Sequence, residues 1–496
     1  MLCYNLRIIP IPIRMDTLSS SERVAPRQAA EASRFRGLTK AYGAIVEWSI
    51  IGLFFLVPLF ALPVTVDALE VNKQTLLVLV TFIAALAWLG QMVSKRELTF
   101  RRGWLNFFPL MYVVTVGISA ITSLAGFTSW VGQTSQEYMS FLTAVSLGVL
   151  FYLLVNNASE SRVQRRIFGA LILSATITAL CMIFHFFGVS VLGSFGSDAR
   201  TFNPVGTINA AAIFLIAVTL LANGLWLVGK SRAGELAFGK TTGVIMSVAT
   251  VILTLSTIVI ASALDYWALW IILLVGISVL FAFALVRAGE FPETGRFILP
   301  MGLFVVSLLL LFLPTPVNFR LPVEILPSYS ASWDITSQTL KNTSSLFGSG
   351  PGTFVMDYAK YHTADLNATG FWAVRFDRAT SHIFTVAATL GIVGTIVYLA
   401  FILSLVLRAL GRLTREQDHA EWKATFVLFY AWLALVVGAF LYSSNLTLTF
   451  LLFGLGGVLA AQVMLKTRSI SFSKSPRTGL AFSFLFVEGS KHKTSA

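Results

Sequence analysis

Charge is what this sequence has least of. Asp, Glu, Lys and Arg make up 12% of its 496 residues, about half the share found in soluble domains. A string of soluble domains is thereby excluded. Cysteine is nearly absent: Cys3 lies in a polar tail and Cys181 in an apolar run, which excludes a disulfide framework. The first 40 residues lack the apolar stretch and cleavage site of a secretory signal peptide, and Met15-Asp16 offers a second start. The net charge of +13 is scattered in short clusters between apolar runs, without the continuous basic stripe of a nucleic-acid-binding protein. Internal repeats are missing too. So are ionisable groups at the centres of the runs, with His185, near one end of its run, the main exception.

What abounds is apolar sequence, 56% of the chain, in runs of about twenty residues, the length a helix needs to cross a bilayer. The pattern predicts an all-α integral membrane protein with about twelve spans. These fall at 42–64, 74–94, 105–125, 138–156, 167–187, 204–225, 241–262, 267–286, 297–314, 382–407, 424–442 and 447–465. Seven of the 36 Lys and Arg lie in alternate loops: Lys73, Arg200, Arg320, Lys341, Lys360, Arg375 and Arg378. The other 29 crowd into the two tails and the remaining loops, as in Lys95-Arg96, Arg162-Arg165-Arg166 and Arg408-Arg412-Arg415. Positive residues stay inside. The expected organisation is a cytoplasmic basic tail at 1–41, a membrane domain at 42–465 and a second cytoplasmic basic tail at 466–496 of a multi-pass inner-membrane protein.

One connection differs from the rest. Residues 315–381, between spans nine and ten, form a large extracytoplasmic loop with Trp333, Trp372, several Pro and a Gly-rich turn, which suggests a small folded unit. Ser332-Trp333-Asp334 reads as the cap of a short helix, and Thr353 as the cap of another running to about His362. In the C-terminal tail the apolar run GLAFSFLFV is too short to span and is expected on the inner membrane surface.

The loop closes with Arg375-Phe376-Asp377-Arg378-Ala379-Thr380-Ser381-His382. Arg forks match phosphate oxygens, so Arg375 and Arg378 suit a lipid-linked pyrophosphate; an Arg-Asp-Arg ion pair pinning the loop to headgroups is the plainer reading. His382 has the intrinsic pKa of a general base, or is an interfacial hydrogen-bonding residue. Gly348-Ser349-Gly350-Pro351-Gly352 lacks the GK[ST] ending of a P-loop; it reads as a structural turn, or as an anion-holding helix start. Asp265 is a second candidate carboxylate or a polar helix end. Four Asn-x-Ser/Thr triplets, at Asn157, Asn342, Asn367 and Asn445, are taken as chance.

The run SASWDITSQTLKNTSSLFGSGPGTF, followed by RFDRATSHIFTVAATLGIVG, resembles the bacterial O-antigen ligase and O-antigen polymerase family. Gly348, Gly350, Gly352 and Phe354 fit that family's G-x-G-x-x-x-F turn, and Gly391-Ile392-Val393-Gly394 its helix signature. Asn203-Pro204-Val205-Gly206-Thr207-Ile208-Asn209 resembles its lead into a middle span. The family's His-Asn pair would fall on Thr380-Ser381, with His382 two residues later. Its Ser-Arg at a middle span is replaced by Leu264-Asp265, and no Arg shortly precedes Trp333. The resemblance implies a GT-C-like glycosyltransferase of polysaccharide and lipopolysaccharide biosynthesis in the cell envelope. It would move a glycan from a polyprenyl-pyrophosphate carrier to a glycan, lipid or protein acceptor at the outer face of the cytoplasmic membrane. It implies no metal, with catalytic roles for His382, Arg378 and Arg375. No cofactor is expected, and the expected substrate contacts are Arg200, Asp265, Lys341, Gly350, Gly352 and Asp377. Beside a ligase, the alternatives are a polymerase, a transporter or flippase for lipid-linked glycans, and a non-catalytic assembly protein. Transporters tend to show paired broken spans and mid-membrane charges, and neither is evident.

Overall fold

The computed structural model describes residues 20–62, 65, 67–133, 136–189, 200–228, 240–291, 293–315, 319, 321–322, 324–363, 372–464, 467–475 and 479–482, with backbone alone for 20–36, 240, 467–475 and 479–482. The helices are α1 (Ser20–Leu56), α2 (Glu70–Lys95), α3 (Phe107–Ile121), α4 (Gly126–Val131), α5 (Phe141–Asn157), α6 (Ser161–Phe186), α7 (Ile208–Val228) and α8 (Lys240–Leu264). They continue as α9 (Trp267–Val286), α10 (Ile298–Phe312), α11 (Tyr329–Asn342), α12 (Phe354–Tyr361), α13 (His382–Arg415), α14 (His419–Leu441) and α15 (Leu446–Val463).

Among the described residues, 11 helices are long and apolar enough to cross a membrane. The remaining expected span is α5, an apolar helix of 17 residues that rises about 25 Å and is preceded by the 3-10 turn Glu137–Met139. The chain is thus a multi-pass α-helical membrane protein. α7 and α15 are buried almost all round. α2, α8 and α10 instead turn large apolar side chains outward, among them Leu79, Phe82, Leu86, Val244, Val248, Met301 and Phe312. A belt of this kind is a liability in water and at home among acyl chains. Span ten extends past 407 to Arg415, and span eleven begins at His419 rather than 424. Polar residues continue both helices: Arg412 pairs with Glu416 and Glu421, and Asp418 caps α14 through the Ala420 and Glu421 amides.

Beyond the far end of α2, β1 (Glu97–Arg101) pairs antiparallel with β2 (Thr467–Ser475), and β2 with β3 (Gly479–Phe482). The tail run expected on the membrane surface therefore begins as a strand; its residues 483–487 lie outside the described ones.

α13 is broken at Gly391, whose φ of 69° and ψ of −168° are not helical. The break takes four backbone groups out of the helical ladder in an apolar span, where each must find a partner. Residues 345–350, the start of the Gly-rich turn, supply them. Ser349 and Gly350 amides donate to the Ala388 and Thr389 carbonyls (3.1 and 3.0 Å), and the Ile392 and Val393 amides donate to Ser345 and Leu346 (2.9 and 3.1 Å). Ser119 of α3 donates to the Phe347 and Thr389 carbonyls at 2.8 and 2.9 Å. The approach is close enough that a Cβ on Gly391 would lie 2.4 Å from the Leu346 carbonyl oxygen, and one on Gly348 2.5 Å from that of Ala388.

Around this joint, α11 and α12 pack through Ile335, Phe354 and Tyr358 onto Ala379 and Ala388. The cap of α11 is Ser328, whose Oγ accepts from the Ala331 amide at 3.1 Å, one turn before the expected Ser332. Ser332 is buried instead and accepts the Thr380 amide at 3.1 Å. Thr353 stands at the start of α12, but its hydroxyl bonds Ser349 Oγ and the Gly350 carbonyl, both at 2.7 Å, rather than capping.

Gly391→Ala forces an alanine into backbone space that only glycine occupies readily, a strain of about 1–3 kcal/mol before the clash with Leu346 is counted. Thermal melting in detergent should show a clear loss of stability for this variant. Gly302→Ala in α10, where a Cβ meets nothing within 4 Å, should melt like the parent. Equal melting of the two variants would refute the joint.

Candidate functional site

α2 opens with two ionisable residues one turn apart, Glu70 and Lys73, and both are buried. Lys73 is 0% exposed; its Nζ donates to the Val205 carbonyl at 2.7 Å and to Thr447 Oγ1 at 3.0 Å. That carbonyl is presented by the Asn203-Pro204-Val205-Gly206 turn. Asn203 Oδ1 folds the turn by accepting the Val205 and Gly206 amides, each at 3.0 Å. Asn445 Nδ2 reaches the same carbonyl at 2.9 Å, while Asn445 Oδ1 caps α15. Glu70 Oε2 accepts the Leu446 amide at 3.0 Å. One carbonyl thus ties together α2, the turn before α7 and the turn before α15.

Beside this knot lies Arg378. Its Nε and Nη2 donate to the two Asp377 carboxylate oxygens at 3.0 and 2.8 Å, and its Nη1 to the Ser444 carbonyl at 3.0 Å. Burial works against its charge, but Asp377 more than offsets this, and the guanidinium pKa stands well above its ordinary value. The group lies 5.4 Å over the Tyr138 ring. Tyr138 is followed inward by His382 at 6.1 Å, and His382 by Tyr398 at 5.5 Å. A cation, a phenol and an imidazole therefore form one row of contacts leading into the bundle, the Tyr138 and His382 rings tilted by 48°.

His382 is the first residue of α13, and Ser381 before it is extended (ψ 138°) and caps the Ile383 amide. The ring faces the bundle interior rather than lipid. It is 2% exposed, and its Nδ1 has no hydrogen-bond partner among the described residues. Thr380 and Ser381 turn into the fold: Thr380 Oγ1 donates to the Pro327 carbonyl and Ser381 Oγ to that of Ala439.

Glu137 completes the cluster. It is 2% exposed and neither carboxylate oxygen has a partner among the described residues. Burial, helped by the charges of Asp67 and Glu70 and opposed by its own backbone amide and Arg378, raises its pKa to about 8. Nearby, Glu324 accepts from Tyr442 Oη, which also meets Thr207 Oγ1 at 2.7 Å, and burial raises the Glu324 pKa. The site thus offers fixed cations, a carboxyl that is protonated at neutral pH and a shielded imidazole. Among the described residues, no group of three or more His, Cys, Asp or Glu could hold a metal ion.

No protein-family model and no curated protein matches the chain. Of the residues singled out in the sequence, Asp377, Arg378 and His382 come together here. Arg375 is exposed and bonds nothing among the described residues. Arg200 and Lys341 are exposed as well. Asp265 is exposed in a left-handed turn (φ 48°) between α8 and α9. It approaches the cluster only through its neighbour Tyr266, whose ring lies 6.1 Å from that of Tyr442. Gly350 and Gly352 are buried, and the Gly350 amide is engaged by Thr389, so it is not free for an anion. Asn445, one of the four triplet asparagines, is 1% exposed and structural. Sequence reading missed Glu70, Glu137 and Tyr138, and took Lys73 for a loop cation. The usable signal was the Glu-x-x-Lys pair opening an apolar run, since ionisable groups at membrane depth are expensive and kept for a purpose.

Glu137 also sets a pH dependence. Its folded-state pKa is raised, so its contribution to stability is fully present below about pH 4.5 and is lost as pH rises towards about 8. Glu137→Gln should flatten the decline in melting temperature between pH 5 and 8. An unchanged slope would show that the carboxyl is not held protonated.

Proposed function

We propose that the chain is a membrane glycan transferase. In this reading it moves an oligo- or polysaccharide from a polyprenyl-pyrophosphate carrier to an acceptor hydroxyl at the outer face of the cytoplasmic membrane, with both tails inside. One observation carries the proposal: Arg378, a buried guanidinium aimed by Asp377 and the Ser444 carbonyl, meets the same Tyr138 ring as His382. The resemblance of the 375–394 segment to O-antigen ligases and polymerases, and the charge asymmetry of the loops, support it.

The chemistry follows from these groups. The acceptor oxygen attacks the anomeric carbon of the donor sugar, and the bond from that carbon to the pyrophosphate oxygen breaks. Negative charge grows on the departing polyprenyl pyrophosphate. A guanidinium fixed beforehand stabilises that charge without reorganising, and exposed Arg375, three residues earlier, meets the donor phosphates first. His382 takes the acceptor proton through its unpartnered nitrogen. A second reading, a non-catalytic assembly protein handling the same lipid-linked glycan, draws on the burial of His382 and on the Asp377 and Ser444 contacts that occupy the Arg378 fork.

The two readings part in vesicles reconstituted with a lipid-pyrophosphate glycan donor. Arg378→Ala and His382→Ala should each lower transfer by about a hundredfold or more, and Arg375→Ala should mainly raise the donor KM. Undiminished transfer by folded Arg378→Ala would refute the assignment.

A further inference from the structure

At the opposite end of α13 from His382 lies a cavity of about 460 Å³, within the range of small-ligand sites. Its polar lining is Arg408, Arg412, Arg415 and Glu416; Leu407 and Val463 are its apolar lining. Gly411 sits among them, and a Cβ there would meet nothing within 4 Å, so the floor is open.

The charges do not cancel. Glu416 is engaged by Arg412 at 3.2 Å and by the Gln417 and Asp418 amides at 3.0 and 2.9 Å. Arg412 is shared between Glu416 and Glu421, yet its buried Nε has no hydrogen-bond partner among the described residues. Arg408 and Arg415 line the cavity, are exposed, and form no ion pair among the described residues. Arg101 adds a fourth guanidinium close by, donating to the Met464 carbonyl at 3.1 Å at the end of α15. Complementing the helix dipole accounts for cations in the last turn of α13, but not for a cavity between them.

The depth of the cavity indicates what fills it. The Arg408 guanidinium lies 5.3 Å over the ring of Trp104, which is 47% exposed at the start of a span. Leu403 and Leu407, one turn apart on α13, are 55% and 56% exposed. A Trp and Arg at a span end, with outward leucines beside them, mark the level where headgroups meet acyl chains. Basic pockets between helices at this level suit anionic lipid headgroups. We propose that this cavity binds the phosphate of an anionic phospholipid between Arg408 and Arg415, with the acyl chains lying along Leu403 and Leu407.

The test uses the purified full-length protein in detergent, titrated with phosphatidylglycerol, phosphatidylcholine or inorganic phosphate and read by native mass spectrometry. Phosphatidylglycerol should bind about tenfold or more tighter than phosphatidylcholine and stay bound in millimolar phosphate. The double variant Arg408→Gln/Arg415→Gln should lose that preference while melting as the parent does without lipid. Gly411→Leu, which fills the cavity and leaves every arginine in place, should lose the lipid too. Equal affinity for the two lipids, or retention of phosphatidylglycerol by both variants, would overturn the proposal. Displacement by millimolar inorganic phosphate would do so as well, identifying a soluble-anion site.

Discussion

The joint between the Gly-rich turn and the broken helix α13 is the constraint on which the rest of the site depends. A helix interrupted inside an apolar span leaves carbonyls and amides that lipid cannot satisfy. Here the chain answers with its own backbone: residues 345–350 enter beside Gly391 and complete the Ala388, Thr389, Ile392 and Val393 bonds. Neither partner tolerates a side chain at the crossing, since a Cβ on Gly348 or Gly391 would fall within 2.5 Å of backbone. The joint is therefore a backbone-to-backbone fit that no other residue type can make.

Its consequence is positional. The break separates a short first half of α13, beginning at His382, from the long second half ending at Arg415. The first half is clamped between the turn, the small core of α11 and α12, and Ser119 of α3. The segment just before it is held as firmly, Thr380 by Ser332 and Arg378 by Asp377 and Ser444. Arg378 and His382 both reach the ring of Tyr138, in the turn before α5, because both ends of their segment are fixed. The Lys73–Val205–Asn445 knot does the same for the turns on the other side. A site built this way is preorganised, which is what stabilisation of developing charge requires.

Much of the fold was legible because the bilayer imposes a single length and a single polarity on every span. Each apolar run overlaps one of the helices α1–α3, α5–α10 and α13–α15. Polar helix ends such as 408–415 and 419–423 escaped the hydropathy pattern, and the runs overshot α1 past Leu56, α3 past Ile121 and the start of α7 at Ile208. The site was legible in part. The Arg-Asp-Arg run drew attention because charges are scarce, and Asp377, Arg378 and His382 do converge. Arg375 stays out of that cluster, because three residues of irregular chain carry it to the surface. The role of the GSGPG turn was out of reach, because its partner groups are the carbonyls of a helix break that no side-chain pattern announces. Glu137 was hidden for another reason: its significance comes from burial beside Asp67 and Glu70, residues nearly seventy positions earlier in the chain.

The proposed activity of this bundle end is transfer from a lipid pyrophosphate. The most direct test supplies the purified parent protein, in vesicles, with a defined polyprenyl-pyrophosphate glycan and an acceptor, and follows the carrier by mass spectrometry. Sugar-free polyprenyl pyrophosphate should accumulate in step with glycosylated acceptor. A donor that stays intact while the protein remains folded and inserted would contradict it.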